Sequence, residues 1–168
     1  MKVEIRNELP TDIDAIDAVT TAAFLTAPHT DHTEQFIVKA LRKAGKLAVS
    51  LVAEVEGNAV GHVAVSPVSI SDGTSGWYGL GPISVLPAFQ GQGIGSQLMR
   101  KALCVLREKG ASGCVVLGEP SYYGRFGFQA MPGLRFSNVP PEYFQALPFG
   151  SSVPCGAVFY DDSFSAQA

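Results

Sequence analysis

The stretch "FQGQGIGSQLM", Phe89 to Met99, packs three glycines into five positions and then runs into helical spacing. Each glycine costs roughly 0.5 to 1 kcal/mol of conformational freedom when it is ordered, and a helix end needs one glycine, not three. The excess leaves a run of backbone N–H groups with no side chain in the way, at a point where the helix dipole adds partial positive charge. Such a junction suits a phosphate. Three motifs compete for it. The P-loop requires a lysine after its last glycine, and Ser96 follows Gly95. The dinucleotide fingerprint G-x-G-x-x-G fails because Ser96 stands where its third glycine belongs. The pattern Q-x-x-G-x-G is met by Gln90, Gly93 and Gly95.

Outward from this point the chain alternates strands and helices. Ile94, Leu98, Ala102 and Leu106 recur every four residues up to Lys109 and Gly110, which predicts a helix over Ser96 to Lys109. Upstream, "WYGLGPISV" reads as a fourth strand that bulges or diverges from a neighbour, because Pro82 has no N–H for a ladder and Gly79 and Gly81 weaken pairing. Before it, two β-branched runs meet around Gly57 and Asn58 as a hairpin. Two helices precede them. The first is capped by Thr11 with Asp14 three residues on, carries Ile13, Ile16, Val19 or Thr20, and Phe24 at helical spacing, and ends near Pro28. The second is capped within Asp31 to Thr33, faces inward with Phe36, Ile37, Ala40 and Leu41, and stops at Gly45. Val3 to Arg6 is a first strand. Downstream, "GCVVLG" is a buried strand, "SYYGRFGF" a helical turn into another strand, and "YFQALPFGSSVPCGAVFY" a final hairpin.

Composition narrows the function classes. At 168 residues, 46% hydrophobic and 16% charged, the chain suits one domain over 1–168 that buries roughly 70% of its unfolded surface. A net charge of −3 argues against nucleic acid as the main partner. No apolar run approaches the roughly 18 residues of a membrane span, and "MKVEIRNELP" alternates apolar and charged residues unlike an export signal. Cys104, Cys114 and Cys155 form no C-x-x-C pair. A cytoplasmic protein with no membrane partner is expected. The cluster His29, Asp31, His32 and Glu34 lacks the ligand set of a zinc site and reads as a solvated helix cap, so no metal is expected.

The Gln90 to Ser96 motif, the later "YYGRFGF" and the order of elements together resemble the GNAT superfamily of N-acetyltransferases, over nearly the whole chain, and "VLGEPSYYGRFGF" is similar to its bacterial YhbS-like branch. The resemblance implies an α/β fold (an α+β mixed sheet), mostly antiparallel, flanked by helices and splayed between the fourth and fifth strands. It implies acetyl-CoA as co-substrate, with the pyrophosphate on the amides of Gly91, Gln92, Gly93, Ile94, Gly95 and Ser96 beside Gln90. The pantetheine would lie along Ile83, Ser84 and Val85, with Pro82 as the point where pairing is lost. Arg100, Lys101 and Arg125 are the cations at hand for the remaining phosphate, and equally suit solvated helix surface.

The implied reaction is attack of a neutral amine on the thioester, through an oxyanion met by a backbone N–H near Ile83 or Val85. Tyr123, five residues before Phe128, takes the general acid's place. Many family members carry a general base on the fourth strand, but Trp77–Val85 holds no carboxylate. Glu119 and His62 are the remaining candidates, acting through water, and an α-amino group with a pKa near 8 needs no strong base. Phe24, His29 and His32 are the expected acceptor contacts. The acceptor is a small-molecule or protein amine, and a homodimer is one assembly left open. A catalytically degenerate acyl-CoA-binding or sensing module is the alternative, and a structural adaptor without ligand is a third.

Overall fold

Leu51, Ala53 and Val55 alternate with Val52 along one strand, and all are buried, so this strand must be covered on both faces. The computed structural model, which describes residues 1–28 and 30–167, shows how. In chain order its elements are β1 (Val3–Asn7), α1 (Ile13–Leu25), α2 (Glu34–Lys43), β2 (Val49–Val55), β3 (Asn58–Pro67), β4 (Ser69–Ile70) and β5 (Trp77–Val85). They continue with α3 (Ile94–Glu108), β6 (Gly113–Leu117), α4 (Pro120–Tyr123), β7 (Leu134–Arg135), β8 (Phe144–Pro148) and β9 (Gly156–Phe159). Six strands form one sheet in the order β1-β2-β3-β5-β6-β8. Its pairs are antiparallel except β5 with β6, which the α3 crossover joins in parallel.

One face of this sheet packs Leu51, Ala53, Val63 and Val65 against Leu98, Met99, Ala102 and Leu106 of α3. The opposite face sets Val52 and Ala64 against Ile16 of α1 and Val38 of α2. The inner face of α2 is therefore Ile37, Val38 and Leu41, with Phe36 and Ala40 only half-buried. A second sheet, β4-β9-β7, closes over Trp77, Val115 and Phe144.

Four local expectations are corrected. The first helix is not capped by Thr11 and Asp14: a short 3-10 turn, Pro10–Asp12, precedes α1, and Asp12 accepts from the Leu9 N–H at 2.7 Å while pairing with Arg6 at 2.7 Å. The hairpin turns at Glu56 and Gly57, one residue earlier than read, because both take positive φ (51° and 82°) and Val55 pairs with Asn58. After "SYYGRFGF" there is only a single bridge, Gln129 to Ala146, not a strand. The tail is no hairpin either. β8 pairs with β6, whereas β9 joins the second sheet, where Asp72 ties its entry by accepting from the Cys155 N–H at 3.0 Å.

Candidate active site

The three glycines at the mouth of α3 serve two purposes. Gly91 and Gly93 take φ of 78° and 83°, a region side chains disfavour, and Gly93 is the N-cap. Gly95 lies inside the helix, where a Cβ would stand 3.2 Å from the Tyr122 hydroxyl. Gln90 has its own task, donating from Nε2 to the Val85 carbonyl at 2.9 Å and so tying the turn to the end of β5. The first N–H groups of α3 lack intrahelical acceptors and open on a hollow of about 360 Å³. Val85, Gln90, Gly91, Gly93, Ile94, Gly95 and Ser96 line it, with Tyr122 and Arg125 opposite. The Arg125 guanidinium sits 4.5 Å over the Tyr122 ring, which adds a cation to the rim.

The other expected contacts lie elsewhere. Gln92 is exposed, its amide 3.5 Å from the Ala88 carbonyl. Ser84 is buried in the register position opposite His62. Arg100 stacks on Phe126 at 5.1 Å, and Lys101 lines a separate hollow beside Arg6 and Val105. Tyr122, next to the expected acid Tyr123, lines the hollow.

The sheet does open between the strands read as fourth and fifth. β5 and β6 pair at Trp77 with Gly113, Tyr78 with Cys114 and Gly79 with Val115, and then part. The last pair thus lies three residues before Pro82. A bulge follows at once: Val63 pairs with Ile83 but Val65 with Leu80, so Gly81 and Pro82 add a residue against β3. Ile83, Ser84 and Val85 stay in register with Val63, His62 and Gly61 of β3, and the other edge of β5 faces the gap.

Beyond this edge lies a cleft of about 270 Å³ between α1, α2, β5, α4 and the C-terminal segment. Tyr123 lines it. Its place is set by the turn after β6, where the Glu119 carbonyl accepts from the Tyr122 and Tyr123 N–H groups at 3.1 Å each. Gly118, at φ 156°, makes room for the ring, since any Cβ there would collide with Tyr123. Burial pushes the Tyr123 hydroxyl up to about 12, with Tyr122 adding to the effect. It is protonated at neutral pH.

Of the other predicted residues, Phe24 and Ile83 line this cleft. His32 is exposed and does not, and His29 lies outside the described residues. Neither base candidate is brought to it. Glu119 is exposed, its carboxylate 3.4 Å from the Ser121 hydroxyl. His62 is 1% exposed and bonded through Nε2 to Ser50 at 2.7 Å, and burial lowers its pKa to about 4. The carboxylate that does line the cleft is Glu34, the first residue of α2. In sequence it belongs to the polar cluster His29, Asp31, His32 and Glu34, read as a solvated helix cap. Among the described residues no group of three His, Cys, Asp or Glu side chains gathers to hold a metal, and no helix is long and apolar enough to cross a membrane.

A mostly antiparallel sheet opened beside one parallel pair, with a glycine cradle at the crossover helix, defines an acyl-CoA-type N-acyltransferase. Comparison with known proteins agrees. The acetyltransferase (GNAT) domain family matches residues 46–130. The uncharacterized N-acetyltransferase YhbS of Escherichia coli K12 is 38% identical over 126 residues, 74% of this chain and 72% of that protein. A GNAT family acetyltransferase from Brucella melitensis, solved in complex with acetyl-CoA, superposes with a TM-score of 0.87 at 48% identity, covering 97% of this chain and 98% of that one. Escherichia coli YhbS, solved in complex with CoA, gives 0.89 at 33% identity, over 100% and 94%. The chain belongs to the GNAT family and is an N-acetyltransferase.

Proposed function

We propose that residues 1–168 work as one domain that moves the acetyl group of acetyl-CoA to a primary amine by direct attack in a ternary complex. One observation carries this reading: the glycine cradle and the Tyr123 cleft lie at the two ends of the same unpaired edge, Val85 and Ile83. The neighbours solved with acetyl-CoA and with CoA support the choice of co-substrate. In this reading the pyrophosphate rests on the amides of Gly91 to Ser96 with Arg125 at the rim, and the pantetheine runs along Ile83 to Val85.

The amine nitrogen attacks the thioester carbon, and a β5 N–H at Ile83 or Val85 meets the oxyanion. As the C–S bond breaks, the Tyr123 hydroxyl donates to the departing sulfur. A phenol near 12 transfers its proton uphill to a thiolate of ordinary pKa, about 8.5. The cleft desolvates that thiolate too, which raises its basicity. The proton therefore follows charge onto sulfur rather than leading it. Release into a reducing cytoplasm belongs to the proposal, supported by free thiols at Cys104, Cys114 and Cys155.

The test is incubation with acetyl-CoA and a panel of amines, read by product mass. Acetylated product with matching thiol release is expected. Acetyl-CoA at 100 times its Kd should also stabilise the fold by about 2.7 kcal/mol. No product and no stabilisation would end the proposal.

A further inference from the structure

We propose that Glu34 binds the ammonium of the acceptor and that the acceptor is a primary amine carried on an apolar, preferably aromatic, stem. This rests on the reading of the Tyr123 cleft as the acceptor side. The walls of the cleft are Phe24, Ile37, Leu80, Leu117 and Phe164, and one carboxylate, Glu34, interrupts them. That carboxylate is half satisfied. Its Oε2 accepts from the Thr30 hydroxyl at 2.6 Å, while Oε1 is buried and finds no hydrogen-bond partner among the described residues. A second orphan, the Tyr160 hydroxyl, belongs to another residue lining the same cleft.

A buried carboxylate oxygen without a donor is costly, and a primary ammonium supplies up to three donors with the complementary charge. A polyamine or a lysine-rich peptide would have to bury further charge or polar backbone against the apolar walls, which carries a desolvation penalty. An aliphatic or aromatic stem carries none. The volume of about 270 Å³ sets the size to a small molecule or one terminal side chain.

The ammonium gives one proton to Glu34, which passes it to solvent. The neutral nitrogen then forms the C–N bond, the C–S pair leaves on sulfur with the Tyr123 proton, and the second proton lost from nitrogen restores the phenol. Net, one ammonium and one thioester give one amide, one thiol and one proton.

The experiment compares phenethylamine and isoamylamine with putrescine, spermidine and a lysine-rich peptide, in wild type and in Glu34→Gln, Glu34→Asp and Phe24→Ala. The apolar amines should have the highest kcat/KM. Glu34→Gln should raise the amine KM by about 10- to 100-fold, the scale of a charged hydrogen bond, with Asp recovering part of the loss. The KM of acetyl-CoA should stay unchanged, which also reports intact folding. Phe24→Ala should relax the preference for aromatic stems. Preference for the charged amines, or an unmoved amine KM in Glu34→Gln, overturns this inference and leaves the acetyltransferase standing. Acetyl-CoA binding without acetylation of any panel amine overturns both, whereas loss of acetyl-CoA binding in wild type marks failure at the cradle.

Discussion

The glycine cradle and the Tyr123 cleft share the end of β5 but are built in opposite ways. The cradle draws on one short run, Gln90, Gly91 and Gly93 to Ser96, with φ near +80° at two of its positions. The Tyr123 cleft uses side chains from α1, α2, β5, β6, α4 and the C-terminal segment, spread from Phe24 to Phe164. A backbone cradle leaves a local trace, because Gly91 and Gly93 hold positive φ that favours glycine. Side-chain recognition across six segments leaves none, since a Phe or Leu lining a cleft has the same sequence signature as one filling a core.

The sharpest way to break this contrast is to alter the proposed acid. Tyr123→Phe should lower kcat by about 10²- to 10⁴-fold, the range of general acid catalysis, with the Kd of acetyl-CoA unchanged by calorimetry. A parallel fall in acetyl-CoA affinity would show that the two clefts are one. Gly118→Ala probes the same ring without touching its hydroxyl. Its Cβ would meet the Tyr123 ring, so kcat should fall toward the Phe variant while the cradle binds normally.

The difference between the regions also explains what was legible in the sequence. The Q-x-x-G-x-G run led to the cradle and to α3, and the glycines and proline of "WYGLGPISV" led to a strand that parts from its neighbour. The irregularity at Gly81 and Pro82 falls where those residues suggested, but the point of parting was misread, because the pairing of β5 with β6 ends at Gly79 and that register is encoded by no local pattern. The second sheet was missed for a related reason. β4 and β7 have two residues each, too short for any alternation to show, and β9 pairs with strands some twenty and ninety residues away, where its sequence suggested its immediate neighbour β8. Of the residues lining the Tyr123 cleft, Phe24 was placed on α1 by helical spacing, whereas Glu34 was read as part of a solvated helix cap.

His62 offers a second, smaller test, of whether the α1/α2 face holds a base or only core. Burial holds its folded pKa near 4 against an ordinary value of 6.5, with Glu8 and Asp12 raising and Arg42 lowering it to lesser degrees. The unfolded chain therefore binds a proton between these values that the folded chain refuses. Stability is full above pH 6.5, falls as pH drops through that value, and stops falling on this account below about 4. The loss by pH 5 should be about 2 kcal/mol, measured by urea unfolding from pH 7.5 to 5. His62→Gln should flatten that slope. An unchanged slope would mean that His62 charges freely in the fold, which reopens it as a base.

The smallest effects separate the glycines themselves. Gly93→Ala has open space for its methyl group but must hold φ near 83°, so stability should fall by roughly 1 to 2 kcal/mol. Gly95→Ala sits in regular helix, where alanine gains roughly 1 kcal/mol in propensity, against a methyl group 3.2 Å from the Tyr122 hydroxyl. The two nearly cancel, leaving its melting temperature close to wild type. Its acetyl-CoA affinity should nonetheless drop, because that methyl projects from the floor of the hollow where the pyrophosphate is proposed to lie. Gly93→Ala would then be the less stable variant and Gly95→Ala the one with selectively weakened binding. If Gly95→Ala bound acetyl-CoA as wild type does, the third glycine would serve the Tyr122 contact alone, and the anion would have to sit nearer Gly91.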